Sequence, residues 1–134
     1  MVLDSDRGLF RFVNAGHPLP ILARSDGTVS EIEGAGFPAG MDPSIWSGRE
    51  YLEQQVSLSA GDVLALFSDG VTEAGVSNSE ECELFGEDRL MDVIREARPR
   101  GAEGVKDAVC DAVDLFVETP TSDDDLTLLV IEAL

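Results

Sequence analysis

The stretch "SAGDVLALFSDGVTEA", residues 59–74, decides how the chain is read. A turn at Ala60 and Gly61 leads into an unbroken apolar run, Val63 to Phe67, which stops abruptly at Ser68, Asp69 and Gly70. A short continuous run bounded by turn residues is the pattern of a central strand covered on both faces. Asp69 therefore falls where a buried strand leaves the core. Either it opens a turn and caps the next segment, or it delivers a charge to chemistry at the rim.

Upstream, "GLFRFVNAG" alternates Leu9, Arg11 and Val13 against Phe10, Phe12 and Asn14, and "LPILARSDGTVSEI" sets an Asp26-Gly27 turn between two short apolar runs. The second pattern predicts a hairpin. "GAGFPAGMDPS" reads as a surface loop, and "REYLEQQVSL" as an amphipathic strand with Tyr51, Val56 and Leu58 inward. Downstream, "GEDRLMDVIREA" places Leu90, Val93, Ile94 and Ala97 at helical spacing, with Glu87 and Asp88 in the first turn and Arg95 and Arg98 near the last. "AEGVKDAVCDAVDLFVET" repeats the stripe at Val105, Ala108, Val109, Ala112, Val113 and Phe116. Pro120 should end this helix, "TSDDD" should form a polar turn, and "LTLLVIEAL" should close the chain as a buried strand.

Composition narrows the function. The chain has 134 residues, 43% of them hydrophobic and 27% charged, which suits one globular domain spanning residues 1–134. No run approaches the roughly 20 apolar residues of a membrane span, so membrane insertion is not expected. The first residues resemble no signal peptide, which points to the cytoplasm. Cys82 and Cys110 are far apart and form no CxxC, so both are read as reduced structural residues. With 27 acidic against 9 basic side chains and a net charge of −18, the chain repels phosphate backbones, and nucleic acid is not an expected partner. The same acidity suits a solvated surface, a salt-adapted one, or a field that draws divalent cations.

Two places share one design. The strand Val63 to Phe67 runs out into Asp69, and the acidic turn Asp123 to Asp125 runs into the strand Leu126 to Ile131. If these strands are antiparallel neighbours, with the intervening chain returning as helices, the carboxylates converge. Clustered carboxylates at a core edge repel one another unless they are protonated or bridged by a cation. Oxygen-only ligation suits magnesium, manganese or calcium rather than zinc, and His17, the only histidine, cannot supply a histidine cluster. An acidic divalent-ion binding protein is a weaker alternative, because the DxDxDG loop with its downstream glutamate is missing.

"FRFVNAGHPLPILARSDGTV" (10–29), "GFPAGM" (36–41), "LSAGDVLALFSDGVTEA" (58–74), "LFGEDRLMDVIREA" (84–97) and "DDDLTLLVI" (123–131) together resemble the bacterial SpoIIE/RsbU-type branch of the metal-dependent PPM (PP2C-like) serine/threonine phosphatases. The resemblance implies an α+β fold, an α-β-β-α sandwich of antiparallel sheets with helices outside. It implies hydrolysis of phosphoserine or phosphothreonine on a regulatory protein such as an anti-sigma-factor antagonist, using Mn2+ or Mg2+. Carried over by motif, the metal ligands fall on Asp69 and Asp124, while Gly70, Thr72, Glu73, Asp123 and Asp125 support the loops around them. "NAGH", with Asn14, Gly16 and His17, matches a structural turn rather than a phosphate-protonating histidine.

The family's early "GGDFYD"-like segment, whose aspartate bridges two metals, has no counterpart here. The chain therefore reads as a partial domain lacking its N-terminal part, weakly active or inactive alone. It would be an expressed fragment, a shortened product kept as a protein-interaction module, or a half completed by another chain. Exposed sheet edges are expected to drive self-association or partner capture.

Overall fold

The computed structural model describes residues 1–34, 36–41, 51–78, 81–117 and 125–134. Nine strands are seen among them: β1 (Val2–Asp4), β2 (Leu9–Val13), β3 (Ile21–Ala23), β4 (Val29–Glu31), β5 (Glu53–Ser57), β6 (Val63–Phe67), β7 (Gly75–Asn78), β8 (Glu81–Leu84) and β9 (Leu128–Glu132). Three α-helical segments accompany them: α1 (Asp69–Thr72), α2 (Gly86–Ala97) and α3 (Gly101–Phe116). The strands form antiparallel sheets in the orders β1-β2-β5 and β4-β3-β6-β9, with β7-β8 as a separate ribbon. This is a mixed α+β fold in which two antiparallel sheets pack face to face.

The run at residues 63–67 is the centre of the molecule, as its composition predicts. Val63, Ala65 and Phe67 face α2 and α3, packing with Ile21, Ala23, Leu90, Ile94, Val105 and Val109. Leu64 faces the other way, joining Phe10, Phe12, Leu22 and Leu58 between the two sheets, with Leu66 partly buried against them. Because side chains alternate along a strand, a strand between two apolar layers must be apolar at every position. The helices follow the predicted stripes: Leu90, Ile94 and Ala97 of α2 and Val105, Val109 and Val113 of α3 are buried.

The Asp26-Gly27 hairpin forms as expected, with Gly27 at φ 92° and Asp26 Oδ1 accepting from the Thr28 N–H at 2.8 Å. Several other expectations are corrected. Tyr51 is not an inward strand position: β5 starts at Glu53, and Tyr51 is exposed on the loop before it, stacking on Phe37 at 4.4 Å between ring centroids. Helix α3 stops at Phe116, and Pro120 lies outside the described residues. The chain between β6 and β9 contains α1 and the β7-β8 ribbon as well as the two long helices. Among the described residues, helices cover one outer face of the sandwich, that of the β4-β3-β6-β9 sheet. No described helix is long and apolar enough to cross a membrane. Cys110 is a half-buried free thiol.

The closing strand is an edge strand and is only half buried, rather than the fully buried strand its composition suggested. Its far end carries a helix cap: Glu132 Oε2 accepts from the Ala102 N–H at 3.0 Å and so satisfies a donor in the first turn of α3. Gly101, which starts α3, sits at φ 73°, a backbone conformation that favours glycine.

The turn entering β6 is held by Asp62, which is 1% exposed. Its carboxylate accepts from Arg24 Nη1 at 2.8 Å, the Ser25 N–H at 2.8 Å and the Ser59 N–H at 2.9 Å. Burial alone would raise this carboxyl's pKa, but the two backbone N–H groups and the guanidinium outweigh it and hold the pKa below the ordinary value. A depressed folded pKa stabilises the protein above the unfolded value, near pH 3.9, and that contribution fades as pH falls through the folded value. Asp62→Asn is expected to cost about 2–4 kcal/mol at neutral pH. Urea denaturation at pH 7 and at pH 3 checks this: the gap between wild type and variant should narrow at the lower pH.

The expectation of self-association attaches most directly to β9. Ala133 N–H donates to Asp62 O and Ser68 N–H donates to Thr127 O, each at 2.9 Å, so alternation turns the backbone groups of Leu128, Val130 and Glu132 away from β6. Leu128 to Ile131 carry no charge to guard this edge, and Leu129 is 41% exposed. Sedimentation velocity should show concentration-dependent association that salt strengthens by screening the −18 charge. Val130→Pro, which removes an outward N–H and spares the ladder to β6, should weaken that association. A wild-type monomer at high concentration would count against the expectation.

Candidate metal centre

β6 and β9 pair in antiparallel register, with Phe67 opposite Leu128. Continuing that register sets Ser68 opposite Thr127 and Gly70 opposite Asp125. The two ends predicted to converge do meet as far as the described residues reach. Asp123 and Asp124 lie outside them, so the predicted ligand Asp124 has no described position.

The seam between the two segments is closely bonded. Ser68 N–H donates to Thr127 O at 2.9 Å, Thr127 N–H donates to Ser68 Oγ at 3.0 Å, and the Ser68 hydroxyl donates to Asp125 O at 3.1 Å. Gly70 is buried against the same segment. Beyond Ser68 the chain turns at once into α1, with Val71 N–H donating to Ser68 O at 3.0 Å and Glu73 N–H to Asp69 O at 2.7 Å.

Asp69 itself is exposed at the rim. Its Oδ1 accepts from the Gly70 N–H at 3.1 Å, and among the described ion pairs no lysine or arginine reaches it. Thr72 Oγ1 donates back to Asp69 O at 3.3 Å, tightening α1 rather than reaching toward the acidic segment. Glu73 is exposed at the C-terminal end of α1.

The "NAGH" turn lies at the same end of the sheet, because the antiparallel pairing of β3 with β6 carries residues 17–20 past Leu66 toward Ser68. Asn14 is buried and organises the turn: its Oδ1 accepts from the Gly16 and His17 N–H groups, and its Nδ2 donates to His17 O, all at 2.9 Å. Gly16, at φ 85°, packs against Pro38, and the His17 side chain is exposed. Phe12, Asn14, His17, Pro20 and Leu66 line a cleft of about 230 Å3 here.

Among the described residues, the oxygens at this rim, carboxylate and carbonyl, suit a hard divalent cation in kind. In number they fall short. Among the described residues no three histidine, cysteine or acidic side chains come together to hold an ion. A site here depends on Asp69 together with the acidic run that enters β9. The sequence reading singles out Asp69 and the acidic run but passes over Ser68, whose hydroxyl makes two of the seam's bonds; its signal is a lone hydroxyl residue between the buried run and the Asp-Gly step.

Face-to-face antiparallel sheets with helices on one described outer face match the fold of PP2C-like phosphatase domains among solved structures. A family model described as "Stage II sporulation protein E (SpoIIE)" matches residues 1–134, and the chain belongs to that family. It is 28% identical to the phosphoserine phosphatase RsbU of Bacillus subtilis over 129 residues, covering 96% of this chain and 36% of RsbU. Among solved structures, the SiaA-PP2C domain of Pseudomonas aeruginosa matches 97% of this chain and 48% of its own, with 23% identity and a TM-score of 0.72. The manganese-presoaked phosphatase domain of SpoIIE from Bacillus subtilis matches 98% of this chain and 53% of its own, with 16% identity and a TM-score of 0.69. The chain thus spans about a third of RsbU and about half of these solved chains.

A Cβ added at Gly70 would lie 2.7 Å from Asp125 O, closer than side chains pack, and the obstacle is backbone. Gly70→Ala should push the acidic segment away from α1 and cost about 1–3 kcal/mol. Thermal and urea unfolding check this, and an unchanged midpoint would show that the seam yields freely.

Proposed function

We propose that this chain forms part of a metal-dependent protein serine/threonine phosphatase domain. It would hydrolyse phosphoserine or phosphothreonine on a regulatory protein such as an anti-sigma-factor antagonist, with Mn2+ or Mg2+ as cofactor. The observation that carries the reading is the seam at the end of β6, which brings the Asp69 loop against the acidic segment entering β9. Family membership and the name of the relative RsbU support the reaction class. The manganese-presoaked SpoIIE domain supports the choice of metal.

Phosphomonoester hydrolysis is extremely slow in water, so a catalyst needs a strong nucleophile and positive charge beside the transferring oxygens. A divalent ion, when bound, supplies an acidified water and that charge. The chain's own residues have the task of holding it. Asp69 and Asp124 are the ligands in this reading, Gly70 admits the acidic segment, and Thr72, Glu73, Asp123 and Asp125 shape the loops. Asn14, Gly16 and His17 build the turn beside the rim and take no part in proton transfer. No covalent protein nucleophile is required.

Turnover by the chain alone should be weak or nil, because the family's bridging-aspartate segment has no counterpart in the sequence. A single weakly held ion is the expected state, since hard-cation affinity grows with ligand number and charge. The second reading is a protein-interaction module that has kept the fold without turnover, favoured by a sequence with no "GGDFYD"-like segment. Calorimetric titration with Mn2+ and an assay of p-nitrophenyl phosphate hydrolysis separate the two. In the phosphatase reading, Asp69→Asn weakens Mn2+ binding by about tenfold or more and abolishes any Mn2+-dependent hydrolysis. Hydrolysis or Mn2+ binding indifferent to Asp69→Asn would sink it. Specific protein binding without turnover favours the module.

A further inference from the structure

An open groove of about 450 Å3 runs between α2 and α3 on the outer surface of the helical layer, lined by residues that take no part in the rim. Val93, Ala112 and Phe116 form its floor and are only partly buried against the core. Leu115 forms one wall and is 82% exposed; no other large apolar side chain in a described strand or helix is so open. Ala112, three residues earlier on the same face of α3, is too small to cover it. Arg89 closes one end. Its guanidinium lies 4.8 Å from the Phe116 ring centre, donates to the Leu84 and Phe85 carbonyls and pairs with Glu83, so its charge is already balanced within the molecule.

Both flanks of the groove are acidic. On α2, Asp92 and Glu96 line it one turn apart. On α3, Asp107, Asp111 and Asp114 follow at i, i+4 and i+7, all exposed on the strip of surface beyond Leu115. Asp92 pairs with Arg95 and Asp107 with Lys106, whereas Glu96, Asp111 and Asp114 have no partner among the described ion pairs. Like charges one turn apart work against a helix, so these carboxylates do nothing for the helices that carry them.

We propose that this groove docks a basic amphipathic helix of a partner protein, with apolar side chains seated beside Leu115 and lysines or arginines reaching the acidic flanks. Charge decides among the occupants. A second copy of the chain would set Glu96, Asp111 and Asp114 against like charges in a symmetrical contact. An anionic membrane surface or a nucleic acid would meet the same repulsion. A basic helix is instead drawn in by the net charge of −18 and held by the apolar floor. The site is separate from the metal-dependent reading of the rim and does not rest on it.

The test titrates the full chain into a fluorescein-labelled synthetic helix of about 18 residues, with leucine at helical spacing and lysine elsewhere. Two control peptides carry glutamate in place of lysine, or the same composition with leucine at strand spacing. Expected are one lysine helix bound per chain, no binding of the glutamate peptide, and at least about tenfold weaker binding of the strand-patterned one. Leu115→Ser, an exposed change that leaves the core intact, should weaken the lysine helix about tenfold or more. The combined variant Glu96→Gln, Asp111→Asn, Asp114→Asn should weaken it about tenfold and flatten its salt dependence. Wild-type affinity in Leu115→Ser would mean that net charge alone attracts the peptide, and it overturns the proposal. Wild-type affinity in the combined variant, equal binding of either control peptide, or no binding at all overturns it too. If sedimentation velocity shows that Leu115→Ser abolishes self-association while peptide binding is unchanged, the groove belongs to a second copy and the proposal fails.

Discussion

The antiparallel ladder between β6 and β9 is the constraint on which the rest of the structure depends. It joins a strand buried between two apolar layers to a strand near the end of the sequence, and it is tied at both ends. At one end Ala133 N–H bonds to Asp62 O and Gly61 N–H bonds to Ala133 O. At the other, Ser68 and Thr127 close the ladder through backbone and hydroxyl together. With both ends held, the register cannot slip by a residue without turning every β9 side chain to the wrong layer. Register in turn places Asp125 opposite Gly70, so the geometry of the rim is a consequence of core packing rather than of the loops themselves.

The layers on either side follow from the same strand. Val63, Ala65 and Phe67 give α2 and α3 a surface to cover, while Leu64 meets Phe10 and Phe12 from the other sheet. Glu132 then links β9 to the helical layer by capping α3, so that strand and helix are positioned together. Arg98 extends the connection from the end of α2 to the Gly61 carbonyl at 3.2 Å. Few of these contacts are exposed ion pairs, which contribute little in an acidic protein whose charges mostly repel.

Elements with strong periodicity are legible in the sequence, and weakly patterned ones are not. The two long helices, the Asp26-Gly27 hairpin and the doubly covered strand each carry enough apolar repetition to identify them. The β7-β8 ribbon escapes notice because residues 75–84 have almost no apolar alternation, and a two-stranded ribbon needs none when backbone pairing holds it. Tyr51 misleads because an aromatic beside an alternating run looks like the first residue of that strand, whereas its ring packs on Phe37 outside the sheet. The burial of β9 is overestimated for a different reason. Apolar residues on both faces of a strand say what its faces meet and nothing about whether its edge has a neighbour. At the candidate site, Asp69 and the acidic run stand out in the sequence while the hydroxyl that ties them does not, because a lone serine at a strand end carries no periodic signal.

The two ends of β6 offer the sharpest argument about the rim. Each end carries an aspartate on the same rigid strand, and the fold treats them in opposite ways. Asp62 is enclosed and surrounded by Arg24 and two backbone N–H groups, the usual solution for a carboxylate that serves stability. Asp69 is exposed, and among the described hydrogen bonds its carboxylate accepts only from its neighbour's N–H, at 3.1 Å. The adjacent hydroxyl that could have capped the helix is committed to holding an acidic segment against it. In the proposed metal-dependent reading, a divalent cation at this rim would offset the charge of Asp69. That asymmetry accords with the ligand role proposed for Asp69.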